Sequence, residues 1–462
     1  MKLSKNKYIL CYLDTDYGRD SEILLPLVYF AERYLDCRVE FAFIWDIHAI
    51  YRKKPDVVLI ANTIGSLWHY EIAKYAKNSG IEVFALISEG NFRTDGSFNF
   101  YGYSYDKIYH QRYICHWSER TKKYFEEVMP QYKNVLTGAL GFDRYKIYKF
   151  KSKEEYLFEK GLKNYKKVIG YAGWAFGKIY NKQGLREIRF LHNDPEKRIK
   201  WMEEQMLKVE EILRSAIEAN PDVLFLLKRH PNEANPSITR ENPNEMIRLR
   251  DYPNVVYITE NENIHDLINV SDFWMAFEST TAMEAWMLQK QTLLINPDPN
   301  FNRDKLYKGS VMVRNSEELL EHIHHYYNQH ELKGFNEGEL IRNRKQLIKD
   351  TIGFDDGLNH LRAGFYLKKI TEETKAYDSK VSFSFRFFKM FILMQIGRLF
   401  YNKRIFLKLP KFRKTVWIFD KYKLKNIYKL KPRYDSFLDD FYKKNQLDKQ
   451  IKNNNIWHKI IT

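Results

Sequence analysis

Short, fully apolar runs alternate with amphipathic stretches from the start of the chain. The pieces 8–14 (YILCYLD), 39–45 (VEFAFIW), 56–62 (DVVLIAN) and 82–88 (EVFALIS) predict strands, with helices near 20–35 and 66–79 between them. A further strand-like piece, 113–117 (YICHW), precedes a helix and the segment 134–145 (NVLTGALGFDRY). These runs are apolar at successive positions rather than alternate ones, so they predict a parallel sheet covered on both faces. The charged stretch 149–167 predicts a linker helix. Beyond it the rhythm resumes, with strands at 167–173, 222–231, 254–259, 273–277 and 292–297 and helices near 195–219, 263–271 and 279–288. The expected fold is α/β: two Rossmann-like, doubly wound domains facing a cleft, followed by a basic, mainly helical C-terminal tail. Expected boundaries are 1–148 for the first domain, 149–166 for the linker, 167–345 for the second domain, 346–379 for return helices and 380–462 for the tail.

Composition adds size and compartment to this picture. With 462 residues, 44% of them hydrophobic, two to three domains with their own cores are expected, and disordered and fibrous classes are excluded. Cys11, Cys37 and Cys115 are widely spaced and match no metal or disulfide framework, which fits a reducing compartment. The N-terminal apolar run is too short for a secretory signal. The most apolar later stretch, 383–400, carries Arg386, Lys389 and Arg398, so no membrane span is expected.

Charge changes the picture more. From Lys380 onward there are 21 Lys and Arg against five Asp and Glu; the preceding residues hold 55 against 54, so nearly all of the net +17 belongs to the tail. Its cations are interleaved with Phe, Trp, Tyr, Leu and Ile. That pattern suits an anionic membrane surface. A nucleic-acid arm is not expected, because its aromatics ordinarily sit on a folded platform and no such motif is present. A basic helical subdomain packed on the body is the remaining reading.

Ligands of doubly wound sheets bind just past the carboxyl ends of strands, which is where candidate chemistry is sought. Lys228, Arg229 and His230 follow one strand, with Pro231 fixing the turn. Ser279, Thr280 and Thr281 lie between a buried strand and a helix, placed for a phosphate, although Ser and Thr there are also ordinary N-caps. Glu284, one turn further, suits a ribose hydroxyl or a salt bridge. Gly170, Gly173 and Gly177 either let backbone approach a phosphate, Gly173 above all, or make a tight turn. In the first domain, Glu89, Gly90 and Asn91 follow a strand, where Glu89 is either a general base or a solvated turn acid. Asp14 ends the first strand and is expected to line the acceptor side.

Glu89-Gly90, His230-Pro231 and Ser279-Thr280, in that order, resemble the acidic-Gly, His-Pro and Ser/Thr motifs of GT-B-type bacterial glycosyltransferases that use CMP-activated acidic sugars, the sialic acid and Kdo transferases. WSE (117–119) and TGALGFD (137–143) also resemble pieces of surface-carbohydrate transferases. Ser88 departs from the pattern, standing where the family has a first acidic residue. The resemblance implies an inverting, metal-independent transfer, without cofactor, from a CMP-linked sugar to a glycan or lipid-linked acceptor in bacterial surface polysaccharide synthesis. Glu89 would be the base, and His230 would stabilise the leaving phosphate with Lys228, Arg229, Ser279, Thr280 and Thr281. The expected location is cytoplasmic, peripheral on the inner face of the membrane.

Two other readings stand beside it. A CDP-polyol phosphotransferase of the teichoic-acid polymerase type needs a histidine base in the first domain, for which His48, His69, His110 and His116 are available, only His116 at a strand end. The other is a non-catalytic membrane or nucleic-acid adaptor.

Overall fold

The computed structural model describes residues 6–14, 19–62, 67–87, 108–230, 233, 243–259, 262–277, 279–300, 308–373, 381–400 and 423–461. The chain divides into two units, Met1–Lys149 with Ile348–Thr462, and Phe150–Leu347.

In the first unit, β1 (Tyr8–Leu13), β2 (Arg38–Phe43), β3 (Val57–Ile60) and β4 (Glu82–Ala85) form a parallel sheet in the order β2-β1-β3-β4. β5 (Tyr113–His116) and β6 (Lys133–Leu136) pair separately, also in parallel. The apolar runs have a physical reason visible in β1. Ile9, Cys11 and Leu13 join the core beneath helices Arg19–Tyr34 and Asn359–Glu373, whereas Leu10 and Tyr12 join that beneath helix Leu67–Asn78. Side chains alternate between two covered faces, so no position is left for a polar residue. All three cysteines are buried free thiols.

The second unit holds β7 (Lys167–Ala172), β8 (Val223–Lys228), β9 (Val255–Ile258), β10 (Phe273–Ala276), β11 (Gln291–Ile295) and β12 (Val311–Val313), all parallel, in the order β12-β11-β10-β7-β8-β9. Helix Pro195–Ala219 starts with Pro195 at its first position and Asp194 accepting the Lys197 N–H (3.0 Å), the two start signals the sequence offers there. Gly170 of β7 stands opposite Trp274 of β10, and a Cβ on it would collide with the indole and with Ser271 Oγ, which is why this strand carries a glycine.

The stretch expected as a linker is built into the second unit. Ser152 and Glu155 form a capping box on helix Lys153–Glu159, Lys153 pairs with Asp272, and the Tyr156 hydroxyl donates to Glu262 (3.0 Å). The tail divides too. Helices Leu424–Lys444, Leu447–Lys452 and Asn455–Ile460 pack into the first unit, where Leu438, Tyr442 and Trp457 meet Tyr29, Phe30 and Leu361. Helix Phe385–Phe400 rests on that unit by one face only.

Candidate functional site

Chain order in the second sheet reverses between β7 and β10, the position at which doubly wound sheets bind ligands beyond their strand ends. The neighbouring inner strands β10, β7 and β8 have their carboxyl ends on this side: Gly173 follows β7, Lys228 ends β8 with Arg229 and His230 after it, and Ser279, Thr280 and Thr281 come after β10. The residues singled out in the sequence of this domain are thus gathered along one edge of one sheet. Aromatic rings join two of the loops. Trp174 and Phe277 lie 5.4 Å apart between centroids, Phe176 is 5.0 Å from Phe277, and Trp201 of the long helix stands 6.2 Å from both Trp174 and Phe277.

At the end of β8 the Lys228 carbonyl accepts the Gly173 N–H (2.8 Å). Burial, with the neighbouring Arg229 charge, pulls the Lys228 ammonium down to about 8. Arg229 is braced on β9, its N–H donating to the Ile258 carbonyl and its guanidinium to the Thr259 carbonyl, both at 3.0 Å. The His230 ring is half-buried, and its carbonyl accepts the Glu233 N–H (3.0 Å), closing the turn.

Glu233 and Glu245, which brace the candidate site, are residues the sequence reading missed. Both are buried. Glu233 accepts from the Gly177 N–H (2.7 Å) and the Asn244 amide (3.2 Å); Glu245 accepts from the Trp174 N–H (2.9 Å) and the Tyr171 hydroxyl (3.2 Å). Two carboxylates thereby hold the loop after β7. Burial pushes both carboxyls up, and the Glu245 charge adds to the rise at Glu233. The Gly173 N–H is spent on Lys228 and the Gly177 N–H on Glu233, so both glycines are explained by close packing of the loop; a Cβ on Gly173 would meet the Met246 methyl. A signal was available, since Pro-Asn-Glu occurs at 231–233 and again at 243–245.

After β10, Ser279 Oγ accepts from the Thr281 N–H (3.2 Å) and the Thr281 hydroxyl (3.0 Å), and the Trp274 indole donates to Thr281 Oγ1 (3.0 Å). Ser279 therefore does the capping, while Thr280, at the cap position of helix Thr281–Met287, makes no side-chain cap. Glu284 lies 3.6 Å from Nδ1 of buried His265, on helix Ile264–Val270. The pair is ionic only when that imidazole is protonated.

In the first unit, Asp14 directly follows β1 and is exposed, its N–H donating to Asp20 (3.2 Å). Glu89, Gly90 and Asn91 lie outside the described residues, as do Pro231 and Glu278. His116 is fully buried, with Nε2 2.7 Å from Asn134 Oδ1, and burial drives its pKa down to about 4. His69 is also buried and lowered to about 4, and His48 sits among Tyr51, Phe383, Phe388 and Phe391. His110 is half-buried beside Tyr70, its pKa lowered by burial. A base must reach its substrate's proton, and the strand-end histidine, His116, is sealed from solvent.

No protein-family profile matches the chain, and no curated protein matches it. Solved structures do. A putative UDP-N-acetylglucosamine 2-epimerase from Listeria monocytogenes is similar at 13% identity and a TM-score of 0.51, over 81% of this chain and 99% of that one. Another UDP-N-acetylglucosamine 2-epimerase gives 13% identity and a TM-score of 0.51 over 82% and 99%. A variant of the wall teichoic acid polymerase TagF gives 13% and 0.48 over 80% and 90%. At such identity the likeness is one of fold, and the chain has the GT-B-like α/β fold, built of Rossmann-like units with parallel sheets.

Proposed function

We propose that the protein is an inverting, metal-independent glycosyltransferase of bacterial surface polysaccharide synthesis, moving a sugar from a CMP-linked donor to a glycan or lipid-linked acceptor at the inner face of the membrane. The observation that carries this reading is the convergence of Lys228, Arg229, His230 and Ser279–Thr281 on the reversal edge of the second sheet, where a nucleotide diphosphate or monophosphate is best held. Glu89 takes the proton of the acceptor hydroxyl, whose oxygen forms the new bond to the anomeric carbon. The bond from that carbon to the phosphate oxygen breaks with inversion, and the leaving CMP keeps the electron pair. His230 donates a hydrogen bond to the departing phosphate, with Arg229 and the 279–281 hydroxyls and amides offsetting its charge. Glu284 serves the ribose side, and Asp14, Gly90 and Asn91 the acceptor side. The basic tail keeps the enzyme beside a membrane-borne acceptor.

The test is thermal shift with CMP, CDP, UDP and GDP. Ligand that binds only the folded state stabilises it by RT ln(1 + [L]/Kd), so CMP at about 100 Kd contributes about 2.7 kcal/mol and raises the melting temperature. The structural neighbours with TM-scores of 0.51 are named for a UDP-sugar, which makes UDP the competitor that matters. A shift with UDP alone removes the cytidine assignment, and a shift with none favours the adaptor reading. Glu89→Gln and His230→Ala should each lower turnover at least roughly 100-fold with unchanged melting, and EDTA should leave it unaltered. Full activity of the Glu89 variant would move the base elsewhere. The phosphotransferase reading requires a first-unit base other than His116.

A further inference from the structure

Helix Phe385–Phe400 is attached to the first unit through one face. Phe387 is buried, its ring 5.0 Å from that of Tyr75, whose hydroxyl donates to the Ser382 carbonyl (2.7 Å) just ahead of the helix. Phe388 and Phe391 each stand 5.4 Å from the His48 ring, and the Arg52 guanidinium sits 4.4 Å over Phe391. The opposite face is a row at i, i+4, i+7, i+11 and i+14: Phe385, Lys389, Ile392, Ile396 and Leu399, with Leu393 beside it. Phe385 is 70% exposed, Leu393 57% and Leu399 75%. Scattered apolar residues are normal on a surface, but a contiguous helical row is not.

We propose that this outer face is the lipid-contacting surface of the protein, with Phe385, Ile392, Leu393, Ile396 and Leu399 entering the headgroup–acyl boundary of an anionic bilayer and Lys389, in the same row, meeting its headgroups, while Arg386 lies to one side, 3.5 Å from Glu71. The sign of the charge selects this occupant. From Lys380 to Phe419 the chain has ten Lys and Arg and no Asp or Glu, a one-sided balance that fits a polyanionic surface and that a second copy of the same face would repel. Phe385 is the single aromatic in the row, too few for bases to stack along it as on a nucleic-acid platform. The helix has 16 residues, fewer than the roughly 20 needed to span a bilayer, and among the described residues no helix is long and apolar enough to cross. It therefore lies in the interface plane, parallel to the membrane. This assignment deepens the membrane-side acceptor of the proposed function by naming the surface.

The test uses the full chain and vesicles of phosphatidylcholine with and without phosphatidylglycerol. The parent should co-sediment with the anionic vesicles far more than with the neutral ones and be released only in part by high salt. Ile396→Glu with Leu399→Glu should weaken that binding at least about tenfold, with melting temperature and CMP-induced shift unchanged. Leu207→Glu, at an exposed apolar site on the second unit, should change nothing. Vesicle binding by the double variant equal to the parent's would overturn the assignment. So would a parent dimer that the double variant dissociates, or capture of RNA by a parent indifferent to vesicles. Failure of the nucleotide shift alone would count against the proposed chemistry and leave this surface standing.

Discussion

Glu245 Oε2 is buried and has no hydrogen-bond partner among the described residues, while Oε1 takes both the Trp174 N–H and the Tyr171 hydroxyl. A second carboxylate, Glu233, shares its low-dielectric surroundings, with Arg229 the cation that eases it and Glu210, itself bonded to Arg214 and Arg248, a further acid acting on Glu245. An unfolded Glu titrates near 4.3, and both folded values are higher, so the folded chain holds protons that the unfolded chain has released. Stability contributed by this proton is complete below the unfolded value and is lost as pH rises through the folded values. Glu245→Gln removes one titrating group and the charge that lifts the other. Its melting temperature should therefore fall less than the parent's between pH 5 and pH 9. Glu245→Ala should lower melting across that range, because two buried donors lose their acceptor. Parallel curves for parent and Gln variant would show that the pair holds no extra proton. His230 and Ser279–Thr281 were legible in sequence because each sits at a strand end beside a proline or a helix start. Glu233 and Glu245 were not, because a Glu in a polar loop ordinarily reads as solvated; the repeated Pro-Asn-Glu at 231–233 and 243–245 marks the two positions as alike without marking their burial.

Elements were legible to the extent that one stretch of chain determines them. The strand expected over 222–231 is Val223–Lys228, an unbroken apolar run, and the helix expected over 195–219 is Pro195–Ala219, whose start the structure places at Pro195 with Asp194 as its cap. The three-residue β12 carries too little pattern to stand out, so the sheet was read only as far as β11. What locks helix Asn359–Glu373 was also out of reach, because its partner is 217 positions away. Asp143 accepts the Asn359 N–H (3.1 Å) and the His360 N–H (2.7 Å), and His360 Nδ1 lies 2.8 Å from the same carboxylate. A carboxylate only accepts, so Nδ1 carries a proton, and Nε2 is hydrogen-bonded with the Tyr442 hydroxyl, 3.0 Å away. All of these groups are buried. Tyr442→Phe leaves buried His360 Nε2 without its partner and should cost about 1–3 kcal/mol, seen as a melting temperature lower by several degrees. An unchanged melting temperature would mean that water reaches the ring and the chain of bonds is not sealed.

For the molecule as a whole, the tail shows what a charge count cannot separate. Among the described residues, the cations from Lys380 onward have two kinds of surroundings. Some are tied to the body: Lys431 pairs with Glu32 (2.8 Å) and with Asp435 of its own helix (2.7 Å), and the helices that carry such residues bury Ile427 against the β1 core and Leu438, Phe441, Tyr442 and Trp457 around Tyr29, Phe30 and Leu361. On helix Phe385–Phe400, Arg386 lies 3.5 Å from Glu71 of the body, whereas Lys389 lies in the row of uncovered apolar side chains. The charge has the same sign in both cases; which apolar residues find a core depends on Tyr29, Phe30 and Leu361, remote in sequence. Cutting the chain therefore does not isolate a membrane arm. A chain ending at Tyr422 loses nine buried apolar side chains at once, since Leu447, Ile451, Ile456 and Ile460 go with Ile427, Leu438, Phe441, Tyr442 and Trp457. Truncating a single such residue costs about 2–5 kcal/mol, and a domain's entire stability is about 5–15 kcal/mol. Such a chain should be insoluble, or should lose the near-ultraviolet circular dichroism of its packed aromatics, whatever its affinity for lipid. Recovery of a soluble monomer with the parent's spectrum and melting temperature would show that the last three helices are an accessory layer, and the tail would then regain its standing as one uniform basic arm.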